Sequence, residues 1–137
     1  MNERNGTGLD VLLVEDDAAV AEMYRIKLRA EGHHVTIAVD GLVGLRLALE
    51  RPPELLLLDI RLPGCDGLDL LARLRQDEAC ANVPVIVLSN YSDLEMIERG
   101  RAMGVLAHLV KSQTTPGTLV GTIDEMMSSR RVPSRNT

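Results

Sequence analysis

LLLLDIRLPG, residues 55–64, decides how this chain is read. Four consecutive leucines cannot alternate between core and solvent, so a strand made of them is buried on both faces, as in a parallel sheet covered by helices. The run stops on Asp59, after which Pro63 and Gly64 force a turn. Three other segments follow the same plan: LLVEDD (12–17), VIVLSN (85–90) and HLVKS (108–112). The C-terminal ends of such strands form the ligand edge of an open α/β sheet. Glu15, Asp16, Asp59, Ser89 and Lys111 are therefore expected on one rim. That rim would combine a metal site, a carboxylate nucleophile, and a hydroxyl and an ammonium suited to a phosphoryl group.

Punctuation between these runs supplies the helices. Asp17 is a candidate cap for a first helix with Val20, Met23, Tyr24 and Leu28 on one face, ended by Gly32. A second strand is expected over 34–39, and Asp40-Gly41 then turns into a helix reaching about Glu50. Pro52-Pro53 precedes the leucine run, a third helix covers 68–76, and Ser92-Asp93 opens a fourth that Gly104 ends. The fifth strand is expected over 106–110, and Thr115-Pro116 starts a fifth helix running to about Met127. Alternation of five strands with five helices reads as a doubly wound α/β domain. Residues 1–8 read as a flexible leader, 9–127 as the domain, and 128–137 as a disordered tail.

Composition narrows the function classes. The chain has 137 residues, a net charge of −5 from 15 basic and 20 acidic residues, two tyrosines, and neither Phe nor Trp. Direct nucleic-acid binding is disfavoured by that charge and by the lack of aromatic platforms. No apolar segment approaches the roughly 20 residues needed to span a bilayer. Cys65 and Cys80 read as two reduced thiols, and a cytoplasmic location is expected.

Asp59 is the expected reaction centre. A carboxylate can attack phosphorus and carry the group as an acyl phosphate if nearby cations offset the approaching negative charge. Magnesium takes oxygen ligands and usually only one or two carboxylates, so Asp16 and Asp59 suit direct ligation and Glu15 a coordinated water. Lys111 offers a point charge and Ser89 a hydroxyl donor.

On these residues the chain resembles the receiver domains of bacterial two-component response regulators. The matching motifs are the Glu15-Asp16 pair, LDIRLPGCDG around Asp59, Ser89 after VIVL, and Lys111 after HLV. The resemblance implies a flavodoxin-like five-stranded parallel sheet of order 2-1-3-4-5 with five helices. It also implies dependence on Mg²⁺, with Mn²⁺ as an alternative, and phosphoryl transfer to Asp59 from a sensor histidine kinase or phosphotransfer protein. The backbone carbonyl of Arg61 is implied as a metal ligand, Ser89 with His108 as a switch, and Arg61 with Tyr91 as the pair tuning the phosphoprotein's lifetime. Signalling would pass by protein contact to a downstream protein target, from a monomer or weak dimer. No enzymatic activity is expected beyond the domain's own phosphorylation and dephosphorylation.

Several positions depart from the family's pattern. Ser112 follows the lysine where the family usually has a cis proline. A cis bond before a non-proline residue costs about 3 kcal/mol, so either that loop is trans and reshaped or the site retains strain. His108 stands where Tyr or Phe is common, either as an ordinary histidine or as a titratable switch ring. Asn90 and Tyr91 are expected to crowd the entrance to Asp59. Gly100 costs the fourth helix about 1 kcal/mol relative to Ala, which fits either a mobile element or close packing. Leu42 and Val43 are either scattered surface residues or a partner patch. Two other functions compete: the receiver portion of a longer regulator with an output domain, and a metal-dependent phosphohydrolase with an aspartate nucleophile. The latter's DxD motif on the first strand is EDD here, with the nucleophile on the third.

Overall fold

A computed structural model of the chain describes residues 8–63, 65–90 and 94–131. The strands of the main sheet are β1 (Asp10–Val14), β2 (His34–Ala38), β3 (Leu55–Asp59), β4 (Val85–Ser89) and β5 (Ala107–Val110). They form one parallel sheet of spatial order β2-β1-β3-β4-β5, as the resemblance implies. The helices are α1 (Ala18–Ala30), α2 (Gly41–Glu50), α3 (Gly67–Arg75), α4 (Leu94–Ala102) and α5 (Pro116–Arg131).

The leucine run behaves as its composition demands. Successive strand side chains point to opposite faces, so Leu55 and Leu57 enter a core with Tyr24, Leu28 and Ile123 of α1 and α5. Leu56 and Leu58 enter a second core with Leu45, Leu71 and Leu74 of α2 and α3. All five residues of β3 are buried, which fixes Asp59 at the end of a strand with no freedom to rotate out.

Caps set the helix starts. Asp17 Oδ1 accepts from Ala19 N and Val20 N, Asp40 Oδ1 accepts from Val43 N at 2.8 Å, and Asp66 Oδ1 accepts from Leu68 N at 2.7 Å. Thr115 Oγ1 accepts from Thr118 N at 3.0 Å, so Thr115-Pro116 opens α5 as expected. Each cap satisfies an amide that the first helical turn leaves without a backbone partner.

Some boundaries differ from the sequence reading. Strand β2 ends at Ala38, leaving Val39 exposed. Helix α5 runs to Arg131, so residues expected to begin a disordered tail at 128 are its last turn. The apolar pattern stops at Met127, but a final turn needs no buried face, and cations there suit the carbonyl end of the helix dipole. Met23 is 44% exposed, and the buried stripe of α1 is Ala21, Tyr24 and Leu28. Gly100 is packed, since a Cβ there would lie 3.3 Å from Val105 Cγ2. Among the described residues no helix is long and apolar enough to cross a membrane. Ser92-Asp93, the expected start of the fourth helix, lies outside the described residues, as does Tyr91.

Candidate acidic cleft at the strand ends

Four strands deliver the cleft. Glu15 and Asp16 follow β1, Asp59 ends β3, Ser89 ends β4, and Lys111 follows β5. The parallel register brings these ends together: Val14 pairs with Leu58, Asp59 with Leu88, and Ser89 with Val110. Lys111 begins a 3₁₀ turn, Lys111–Gln113, held by Thr114 Oγ1 donating to Val110 O at 2.8 Å. The Lys111-Ser112 bond is trans, which selects the reshaped loop of the two alternatives.

Lys111 is the electrostatic centre. Its Nζ lies 2.7 Å from Glu15 Oε1 and 3.0 Å from Asp59 Oδ2, so one ammonium bridges two buried carboxylates. Glu15 Oε2 accepts from Asp17 N at 3.1 Å, and Asp59 Oδ1 accepts from Arg61 N at 3.1 Å. Burial alone would push Lys111 down, but its close contacts with the two carboxylates prevail and raise it. Glu15 is raised because burial outweighs the help of Lys111 and the Asp17 amide.

The donor set fits a hard divalent cation. Glu15, Asp16 and Asp59 each present an oxygen, all within 4.8 Å of one another, with no thiol or imidazole in the group. Asp16 is exposed while the other two are buried, so an ion would enter from the Asp16 side. Glu15 Oε1 is buried and, despite its ion pair with Lys111, has no hydrogen bond of acceptable geometry. Held by a charge contact and by no directed hydrogen bond, that oxygen keeps lone-pair capacity for a metal or its coordinated water.

The cleft is lined by Glu15, Asp16, Asp59, Arg61, Asn90 and Lys111, with Asp17 at its edge. Asn90 thus stands at the entrance, as its position in the sequence suggests. Ser89 is wholly buried and does not line the cleft. His108 is half-buried on β5 in register with Val87. Gly67 escaped the sequence reading as a site residue: a Cβ there would come 2.4 Å from Asp59 O and 2.7 Å from Ile60 Cα. Its only signal was an Asp-Gly pair that reads equally well as an ordinary turn.

The raised Glu15 has a testable consequence. An acid whose folded value exceeds the unfolded 4.5 binds its proton more tightly in the fold. The stability this gives is present below about pH 4.5 and lost as pH rises through the folded value. In metal-free buffer, Glu15→Gln is therefore expected to melt above wild type at pH 7, with the gap closing towards pH 4.5. Thermal melts across that range check it, and a gap widening towards acid would contradict the account.

The chain belongs to the response regulator receiver domain family, whose model matches residues 11–124. It is 36% identical over 101 residues to the DNA-binding dual master transcriptional regulator RpaA of Synechocystis sp., covering 74% of this chain and 42% of that protein. It is 31% identical over 111 residues to Sporulation initiation phosphotransferase F of Bacillus subtilis, covering 81% of this chain and 83% of the relative. Chemotaxis response regulator CheY4 of Vibrio cholerae shares the fold at a TM-score of 0.80 and 25% identity, over 87% of this chain and 98% of that one. The chain therefore spans less than half of RpaA and most of the phosphotransferase.

Proposed function

We propose that this receiver domain accepts a phosphoryl group on Asp59 from a phosphohistidine of a sensor kinase or phosphotransfer protein and signals by contact with a downstream protein. The observation that carries this reading is the Lys111 ammonium bridging Glu15 and Asp59, with Asp16 beside them. Asp59 is held by the Arg61 amide and Lys111, so its carboxylate is oriented before a donor arrives. Its oxygen attacks phosphorus as the phosphorus–nitrogen bond breaks, and the imidazole leaves with the electron pair. Lys111 then shifts from the carboxylate to a phosphoryl oxygen, and the Ser89 hydroxyl, buried at the end of β4, turns towards the cleft to donate to another. Bound Mg²⁺, with Mn²⁺ as an alternative, would supply charge neutralisation at the phosphoryl oxygens, held by Asp16, Asp59, the Arg61 carbonyl and, through water, Glu15.

Ser89 and His108 are the switch pair in this reading, and Arg61 with Tyr91 governs how long the acyl phosphate survives. Exposure of the Arg61 side chain in the cleft supports its part in that role. The domain works in the cytoplasm, with no catalytic turnover beyond its own phosphorylation and dephosphorylation.

A second reading has a specific observation behind it. RpaA is a DNA-binding regulator of which this chain matches 42%, so this domain would serve as the receiver of a longer protein whose output domain contacts DNA.

Metal binding tests the shared chemistry. The mutual repulsion of Glu15, Asp16 and Asp59 raises the free energy of the metal-free fold. Mg²⁺ at ten times its dissociation constant is expected to stabilise the chain by about 1.4 kcal/mol, a rise of about 5 °C in Tm. Asp16→Ala should lose that rise. Equal shifts in both proteins would place the ion elsewhere.

A further inference from the structure

The C-terminal end of α4 is held by a residue that lies outside it. Arg75, in the last turn of α3, donates from Nε to Met103 O at 2.9 Å. Its Nη1 donates to Cys80 O at 3.1 Å and to Val83 O at 2.9 Å. One guanidinium thus gathers carbonyls from the α3–β4 connection and from the residue that follows α4. A planar fork can donate in two directions at once, which an ammonium on a flexible stem does poorly.

No carboxylate pairs with Arg75 among the described residues. Burial, and then the charge of Arg130, push its guanidinium down, so the cation sits there at a cost that surface packing alone does not require. What it secures is a helix end. The last carbonyls of a helix have no intrahelical donor and need an outside partner when they are partly buried.

The turn beside it is tightly built. Met103 N and Val105 N both donate to Gly100 O at 3.0 Å, and Gly100 is packed against Val105. Gly100 is also the one buried residue of α4. At the other end of the helix Leu94 is 68% exposed. The Arg99–Asp69 contact, at 3.4 Å between exposed side chains, adds little.

We propose that Arg75 is the positioning residue of a hinge: it pins the C-terminal end of α4 to the α3–β4 connection, so that α4 swings at its Leu94 end while residues 100–105 stay in place. Val83 lies two residues before β4, and β4 ends on Ser89. The same guanidinium therefore fixes the start of the strand that ends on Ser89. The swing on loading the cleft rests on the phosphoryl-site reading above; the anchor does not.

Hydrogen exchange on the full chain tests both parts, comparing wild type, Arg75→Gln, Arg75→Lys and a core control, Ile123→Val, on the opposite face of the sheet. Without ligand, Met103, Gly104 and Val105 amides in Arg75→Gln should exchange about tenfold faster than in wild type, beyond any change in sheet amides. Arg75→Lys should recover part of that protection, and it serves as the test variant if the glutamine protein does not fold. Ile123→Val should produce no such selective loss. With Mg²⁺ and beryllofluoride, a phosphoryl mimic, wild type should change at 94–98 and hold at 103–105, whereas Arg75→Gln should change at both. The hinge is overturned if 103–105 exchange rises no more than in Ile123→Val, or if wild type responds there as strongly as at 94–98. Beryllofluoride altering no amide of wild type would overturn the phosphoryl-site reading and the swing, while the unliganded comparison still decides the anchor.

Discussion

Asp59→Asn is expected to take up no phosphoryl group from a small acyl phosphate under conditions where wild type takes up one, as read by intact-mass spectrometry. An amide lacks the charge that makes the carboxylate a nucleophile towards phosphorus. The variant separates chemistry from folding, because Lys111 keeps its contact with Glu15, 2.7 Å away, when the second carboxylate is gone. Removing one of three clustered acids also relieves repulsion, so the metal-free variant should be at least as stable as wild type. Modification continuing at a comparable rate would move the acceptor to Glu15, Asp16 or Asp17, the other acids of the cleft.

Gly67→Ala is expected to cost about 3 kcal/mol, or about 10 °C in Tm. The new methyl would meet Asp59 O at 2.4 Å and Ile60 Cα at 2.7 Å, both backbone atoms that cannot rotate away. Relief could come from displacing α3, which would break the Gly67 N to Ile60 O bond of 2.8 Å, or from shifting the Asp59 peptide itself. Phosphoryl uptake should therefore slow along with the loss of stability. Urea melts decide the first point, and a change within about 0.5 kcal/mol, the range of an inert surface substitution, would show that the loop yields easily.

These two residues show why one half of the site is legible in a sequence and the other is not. Asp59 announces itself, since an acid ending a run of four leucines has nowhere to lie but the end of a buried strand. Gly67 matters for a distance to another segment's backbone, and no local pattern encodes that. The carboxylates divide in the same way. Nothing local ranks the burial of Glu15 and Asp16, yet the first is buried and raised while the second is exposed. Gly100 left two readings open, and only contact with Val105 chose between them.

By itself the sequence determined the strand and helix order, the caps at Asp17 and Thr115, the turn at Asp40-Gly41, and the collection of Glu15, Asp16, Asp59, Ser89 and Lys111 at one sheet edge. Those follow from periodicity and turn chemistry, which act over a few residues, and from the rule that parallel strands end on the same side. Tertiary structure alone decided that one ammonium serves both Glu15 and Asp59, that Ser89 lies buried outside the cleft lining, and that Arg75 closes the end of α4. It also carried α5 to Arg131, past the last apolar position. Each of these depends on atoms brought together from distant parts of the chain, where burial and Coulomb energy are set by neighbours that the local sequence does not contain.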